Sequence, residues 1–577
     1  MYLTIVDTTQ IQSYIFGSNR LRENLGASHL VAQATGQWAL DAVRDATSSH
    51  NVMDAAKPEF DTQRKLEADD TQQAEVIYTG GGNAVIIFRE KDHVDGFTRN
   101  LSRQILKKAP GLRLIVSSLK FDWRQDPLAR KMKELFAELG KEKRSIRASA
   151  PLLGLGVTVE CQVTALPAVE MMGVIAGEEK RPVSAETAAK LDAVVLAKER
   201  LEKVLVRLPD GYDYPDRMDH LGRSTGDQSH FAVVHADGDN MGARIESLGG
   251  KYCSPDEKGD CSAVNRQYLD ALRAFSDAVS EAARDALKKT LDRLTEAIEP
   301  SIDGGRLIAH RSARSSAVDW IPPVKLAAEK DRPGPIQYWY IPFRPVVFGG
   351  DDVTFVCDGR LGVTLANIYV EEFAKETGKR GVFGGNLTAC AGVAIVKAHY
   401  PFARAYQLAE DLLRSAKNYR REIRKQNEAW EGACLDWHFA KSGLFGSLEE
   451  IREREYQSGK LLLRPLTLAE NPYEEHRSWK VEGRILSDFQ TSVQWAGKRN
   501  KMKALREKLR EREASVREFL SLYELGMLPD TGLRLTDGHR KSGWEQGRCL
   551  YFDAIEMADW HIPLPEESPQ GEKRNGD

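Results

Sequence analysis

Two stretches, FAVVHADGDNMG at residues 231–242 and VVFGGDDVTFVC at residues 346–357, decide how this chain is read. In the first, an apolar run of strand length ends at the carboxylate of Asp237, followed by Gly238 and Asp239. In the second, the apolar runs 346–348 and 353–357 flank Gly349, Gly350, Asp351 and Asp352, the pattern of two strands joined by a tight turn. Glycine tolerates the backbone angles such a turn needs and lets a phosphate approach the main chain closely.

Working outward, residues 264–298 read as a long helix, 361–377 as a second, 387–396 as a strand and 402–424 as a helix. With the two quoted stretches this makes β-α-β-β-α-β, the ferredoxin-like order, which sets the first strand beside the hairpin. Asp237 is therefore expected to meet Asp351 and Asp352. Carboxylates gathered in one place repel each other unless cations neutralise them. Hard oxygen donors suit Mg²⁺ or Mn²⁺, and two such ions form the clamp for in-line displacement at phosphorus. Asp237, the Gly238 carbonyl, Asp351 and Asp352 are the expected ligands, with Asp239 a weaker candidate. An isolated Asp-Gly-Asp or Asp-Asp is most often a solvated turn. It is the pairing of both motifs with strands of one unit that points to a metal site.

The same order occurs upstream. Residues 2–7 read as a strand, 10–46 as helical, 75–79 and 84–88 as strands around Gly80, Gly81, Gly82 and Asn83, 93–109 as a helix and 112–118 as a strand. This is read as an internal duplication. The upstream hairpin has no carboxylate, so this unit is not expected to hold the same metals. Between the units lie a basic helical stretch (127–146), an apolar run (152–163), a charged helical region (178–208) and a Gly/Asp/Pro-rich linker (210–228). Residues 434–561 read as helical, with 492–523 as one long run, and the Pro/Glu/Lys-rich end reads as disordered. The expected organisation is α+β. It comprises a first domain at 1–122, a helical linker domain at 123–228, a catalytic domain at 229–430, a C-terminal helical domain at 431–561 and a tail at 562–577.

Among 577 residues, 82 are basic and 85 acidic, and a net charge of −3 argues against a surface coated for duplex DNA. The basic stretches 131–147 and 498–512 are interspersed with Glu and apolar residues and read as solvated helix faces. Seven scattered cysteines fit reduced thiols in a cytoplasmic protein. The nearest pair, Cys253 and Cys261, has no second pair beside it, so zinc is not expected. No stretch approaches the ~18 apolar residues of a membrane span. There is no P-loop and no nucleophile elbow.

The motifs ADGDNMG and FGGDDV, with AGVAI at 391–395 and AEDLLRSAK at 409–417, resemble the second palm domain of the large subunit of type III CRISPR effector complexes. They resemble GGDEF-type diguanylate cyclases more distantly. IQSYIF at 11–16 and RENLGAS at 22–28 resemble that family's first palm, and DWH at 436–438 and LRPLTL at 463–468 the start of its C-terminal helical domain. The resemblance implies two palms packed face to face and synthesis of cyclic oligoadenylates from ATP, with release of pyrophosphate. It implies that Lys417 contacts a nucleotide phosphate, that Gly238, Asp239, Gly349 and Gly350 line the substrate, and that Ser28, Gly81 and Gly82 face the acceptor nucleotide. Its partners would be crRNA-guided subunits, target RNA and an effector activated by the cyclic product. Many members open with an HD nuclease domain, yet none of the twelve histidines here is followed by Asp, and DNA cleavage is not expected. Cys161 stands alone where many members carry a Cys₄ zinc module. A free-standing cyclase, including one making a cyclic dinucleotide, and a non-catalytic scaffold subunit are the alternatives.

Overall fold

Strand β1 (Tyr2–Thr9) is buried on both faces, so it must lie inside a sheet covered on two sides. The computed structural model describes all residues except 54–59, 81, 146–154, 174–178, 206, 222–229, 255–258, 310–321, 331–335, 441–445, 457–459, 496, 536 and 566–577. After β1 come α1 (Ile11–Phe16), α2 (Leu21–Thr35), α3 (Gln37–Ala46), β2 (Ala74–Gly80), β3 (Asn83–Phe88), α4 (Lys91–Lys108) and β4 (Arg113–Lys120). The sheet order is β2-β3-β1-β4, antiparallel throughout. The helices α5 (Leu128–Ser145), α6 (Ala185–Asp192) and α7 (Val194–Val204) follow.

The second unit runs β5 (His230–Gly238), α8 (Met241–Gly250), α9 (Ser262–Glu296), β6 (Phe343–Gly349), β7 (Asp352–Asp358), α10 (Gly362–Gly378), β8 (Ala389–Lys397) and α11 (Phe402–Gln426). Its strands stand in the order β6-β7-β5-β8, the arrangement of the first sheet, so the expected duplication is present in three dimensions. Two further strands extend this sheet: β9 (Cys434–Ala440), parallel to β8, and the short β10 (Leu466–Thr467). Residues 434–440 were expected to be helical. Every one is buried, and Asp436 and His438 alternate with Leu435, Trp437 and Phe439, the period of two that marks a strand. The C-terminal part adds α12 (Leu448–Tyr456), α13 (Trp479–Thr491), α14 (Arg499–Glu511), α15 (Glu513–Leu522) and α16 (Phe552–Met557). The run 492–523 is thus two helices, broken where Arg512 takes an extended conformation.

Strand alternation decides what each sheet face covers. In β5, Ala232, Val234 and Ala236 join a core with Phe275 of α9 and Leu365 and Tyr369 of α10. Phe231 and Val233 join the other core, with Phe402 and Leu412 of α11 and with Phe16 and Leu25 of the first palm. On the first sheet, Val6 and Ile86 belong to that same core, while Leu3, Ile5, Val85 and Ile87 pack against Leu135 of α5 and Leu269 and Leu272 of α9. The two palms therefore meet through the helices that cover these faces and not sheet against sheet. The helical side of the first lies against the α11 side of the second, because α1 and α2 are the apolar surface the first sheet presents there. Helix α9, 35 residues and about 52 Å long, crosses behind both sheets. Its Arg266 and Arg273 reach the fully buried Glu75 of β2, at 2.7 and 3.0 Å. Among the described residues, no helix is long and apolar enough to cross a membrane.

Candidate functional site

Strands β5 and β7 pair with Asp237 directly opposite Asp352. Opposed residues project to the same side, here the side covered by α11. The turn between β6 and β7 needs Gly350 in the left-handed region, at φ +70°. The Gly238 amide donates to the Asp351 carbonyl at 3.3 Å. A Cβ on Gly238 would stand 2.9 Å from that of Asp351, so only glycine lets the hairpin tip close onto the end of β5.

Helix α11 reaches the same point because Gly392 of β8 has no side chain. A Cβ there would meet Ala409 O at 2.2 Å and Leu413 N at 2.3 Å, so the helix backbone rests directly on the strand. Two turns beyond Ala409, Lys417 bonds the Gly238 carbonyl at 2.9 Å and the carboxylate of Asp237. On the opposite flank, His235 Nε2 meets Asp352 Oδ1 at 2.9 Å.

The electrostatics follow. Burial, then the charge of Asp237 and Asp352, pushes the Asp351 carboxyl up to about 7. Burial alone would lower His235, but Asp352 and then Asp237 and Glu410 outweigh it, and the imidazole is raised. Asp239 is 4% exposed and turns its carboxylate inward, accepting from Thr388 Oγ1 at 2.9 Å and pairing with Arg420 Nε at 3.1 Å. Burial raises it despite Arg420 and Lys417. Its carboxylate is thus anchored by Thr388 and Arg420, and the residue lines a cavity beside Asp237 and Asp351. A carboxylate this deep needs its own counter-charge.

Asp237, Asp239, Asp351, Lys417, Arg420 and Arg421 line this cavity of about 260 Å³, together with residues of the first turn of α8. It opens at the first turn of α8, where free amides and the helix dipole favour an anion. With three basic side chains and three carboxylates at its wall, the cavity suits a polyphosphate accompanied by cations.

Among the described residues, no three His, Cys, Asp or Glu side chains stand close enough to grip one ion as they are. The expected convergence of carboxylates is therefore incomplete: Lys417 caps Asp237 and His235 holds Asp352. The donor set nevertheless fits a hard cation. The Lys417 ammonium is itself a cation seated on the Asp237 carboxylate and the Gly238 carbonyl, two of the expected ligands.

Gly349, at φ +153°, lies in the hairpin beside Gly350. Ser28 is buried on α2 and lines a small cavity with Arg200, Arg344 and Phe348, next to β6. The Gly82 carbonyl accepts from Thr8 N at 3.1 Å and Thr8 Oγ1 at 2.9 Å. Gly81 lies outside the described residues. Sequence reading missed His235, Arg420 and a pair in the first palm. There Asp7 stands opposite Asn83, as Asp237 does opposite Asp352, and Lys143 of α5 lies 2.8 Å from Asp7. The Asp237–Lys417 pair thus has a counterpart in the duplicated unit. Aligning the two units strand by strand was the signal that could have found it.

Residues 230–425 match the Cas10/Cmr2 second palm domain. The matched Cas10/Cmr2 segment contains every residue of the Asp237, Asp351, Asp352 and Lys417 constellation. Among solved structures, Csm1 from T. onnurineus is similar with a TM-score of 0.49 and 15% identity, over 97% of this chain and 69% of that one. A Csm1–Csm4 cassette in complex with AMPPNP gives 0.48 and 14%, over 97% and 69%. A cassette in complex with cA4 gives 0.44 and 13%, over 97% and 70%. No curated protein matches the chain.

Proposed function

We propose that the chain is a metal-dependent nucleotidyltransferase that converts ATP to a cyclic oligoadenylate and pyrophosphate. The observation that carries this reading is the meeting of Asp237 and the Asp351–Asp352 turn beneath Lys417, beside a cavity lined by both carboxylates and basic side chains. Asp237, the Gly238 carbonyl, Asp351 and Asp352 are the groups that would hold the ions. Two Mg²⁺ or Mn²⁺ ions, when bound, supply the positive charge that acidifies the attacking hydroxyl and offsets the departing pyrophosphate.

In the reaction, a ribose hydroxyl oxygen of one nucleotide forms a bond to the α-phosphorus of another. The bond from that phosphorus to the bridging oxygen of the β-phosphate breaks, pyrophosphate leaves with the electron pair, and the hydroxyl proton passes to solvent. The protein's part is positioning and charge. The Gly349–Gly350 turn leaves room for the triphosphate, the first turn of α8 points its amides at it, and Arg421 and Lys417 pair with its oxygens. Lys417 exchanges Asp237 for phosphate as it does so. The first palm, without hairpin carboxylates, orients the acceptor nucleotide. Partners under this reading are subunits of a crRNA-guided complex, target RNA and an effector that senses the product.

The test is to incubate the protein with each NTP and Mg²⁺ or Mn²⁺, with and without RNA, and identify products by mass. A cyclic adenylate that disappears in the Asp351→Ala/Asp352→Ala variant supports the reading. An undiminished product in that variant refutes the site.

A further inference from the structure

We propose that His235 is a positioning residue for Asp352, and that a stack of rings ties this carboxylate to the seating of the first palm. This rests on the metal-site reading above. On β5 the side turned to α11 reads Phe231, Val233, His235, Asp237, and an apolar residue would pack at the third place as it does at the first two. The imidazole is 5% exposed, and a buried polar ring costs free energy unless it is hydrogen-bonded. Its Nε2 meets Asp352 Oδ1 at 2.9 Å, and its Nδ1 has no partner among the described residues. The hydrogen bond to Asp352 is thus what offsets the burial of this ring. Asp352 is 47% exposed and otherwise free to turn. Fixing Oδ1 leaves Oδ2 as the oxygen offered to an ion.

The ring itself is held from the other palm. His235 stacks on Tyr406 of α11, centroids 5.3 Å apart and planes 28° apart. Tyr406 stacks on Phe16 of α1 at 3.8 Å and 20°. Phe16, Tyr406, His235 and Asp352 form one continuous line from the first palm to the hairpin of the second. When α1 is displaced, Tyr406 and then the imidazole lose the surface that orients them.

Mn²⁺ binding to the full chain, measured by titration calorimetry alongside thermal melting, tests this. His235→Phe keeps a ring in the stack and removes the donor; His235→Gln keeps a donor. The expected result is Mn²⁺ affinity about 10–100-fold weaker in His235→Phe, partly restored in His235→Gln, and severalfold weaker in Phe16→Ala. A merely structural histidine would lower the melting temperature and leave the Mn²⁺ affinity of the folded variants unchanged, and that result overturns the inference. Unchanged affinity in Phe16→Ala alone overturns the coupling to the first palm. A wild-type chain that binds no Mn²⁺ overturns the metal site itself, which is a different failure from a wild type and His235→Phe that bind equally.

Discussion

Lys417 holds the place of a cation in a site built of carboxylates, and this sets what its removal does. Lys417→Met takes away both the competitor for Asp237 and the partner for phosphate. Divalent-metal affinity is expected to hold or tighten while kcat/KM for ATP falls by about 10² or more, a split visible by comparing metal titration with turnover. Arg420 is a different case. It is 2% exposed and serves Asp239, the Gly432 carbonyl, Thr388 and Glu431. Arg420→Ala leaves Asp239 buried and unpaired, and a loss of about 3–5 kcal/mol is expected in urea unfolding. Pairing it with Asp239→Asn should recover part of that loss. The three carboxylates were legible from the sequence because each ends a strand or sits in a glycine turn. The inward turn of Asp239 was not legible, because it depends on Thr388 and Arg420, 149 and 181 positions away along the chain.

At the scale of elements, the decisive contact is α11 on β8. Gly392 permits it, and any side chain at that position must lift the helix. Gly392→Val is expected to cost about 1–3 kcal/mol or more through overpacking. Because Lys417 and Tyr406 ride on the same helix, it should also abolish activity in whatever fraction stays folded, which circular dichroism and product assays together would report. The hairpins and the helices 402–424 and 361–377 could be read from apolar periodicity, and the structure has α11 and α10 within a residue or two of them. Strand β9 was legible as well, in the alternation of Asp436 and His438 with Leu435, Trp437 and Phe439, a period of two that a helical reading passes over.

For the whole molecule, α9 joins the cores of both sheets. Glu75 of the first sheet is fully buried between Arg266 and Arg273 of α9, and Glu75→Ala is expected to cost about 3 kcal/mol, chiefly by leaving the buried Arg273 with backbone carbonyls in place of a hydrogen-bonded carboxylate, while Arg266 keeps Glu67. In the C-terminal part, Glu482 is 1% exposed and neither of its carboxylate oxygens has a hydrogen bond among the described residues. Burial, then Asp553, drives it well above the ordinary carboxylate range, against the pull of Arg464. A carboxyl raised on folding binds more protons in the native chain than in the unfolded one. Stability therefore falls as pH rises above the ordinary glutamate range. Glu482→Gln should remove that fall, so its advantage over wild type in urea midpoint grows from pH 5.5 to pH 8; a constant difference would refute the assignment.

By itself, the sequence determined the two β-α-β-β-α-β units, the duplication, the strand-end and hairpin carboxylates and the glycines between them. All of these depend on neighbours a few residues apart, whose spacing shows in the letters. Only the tertiary structure decided that the helical side of one palm rests on the α11 side of the other, that Lys417 caps Asp237 and that His235 holds Asp352. Those pairs lie 180 and 117 positions apart. Their meeting is set by which apolar faces bury one another, and local periodicity identifies such faces without saying which partner each one takes.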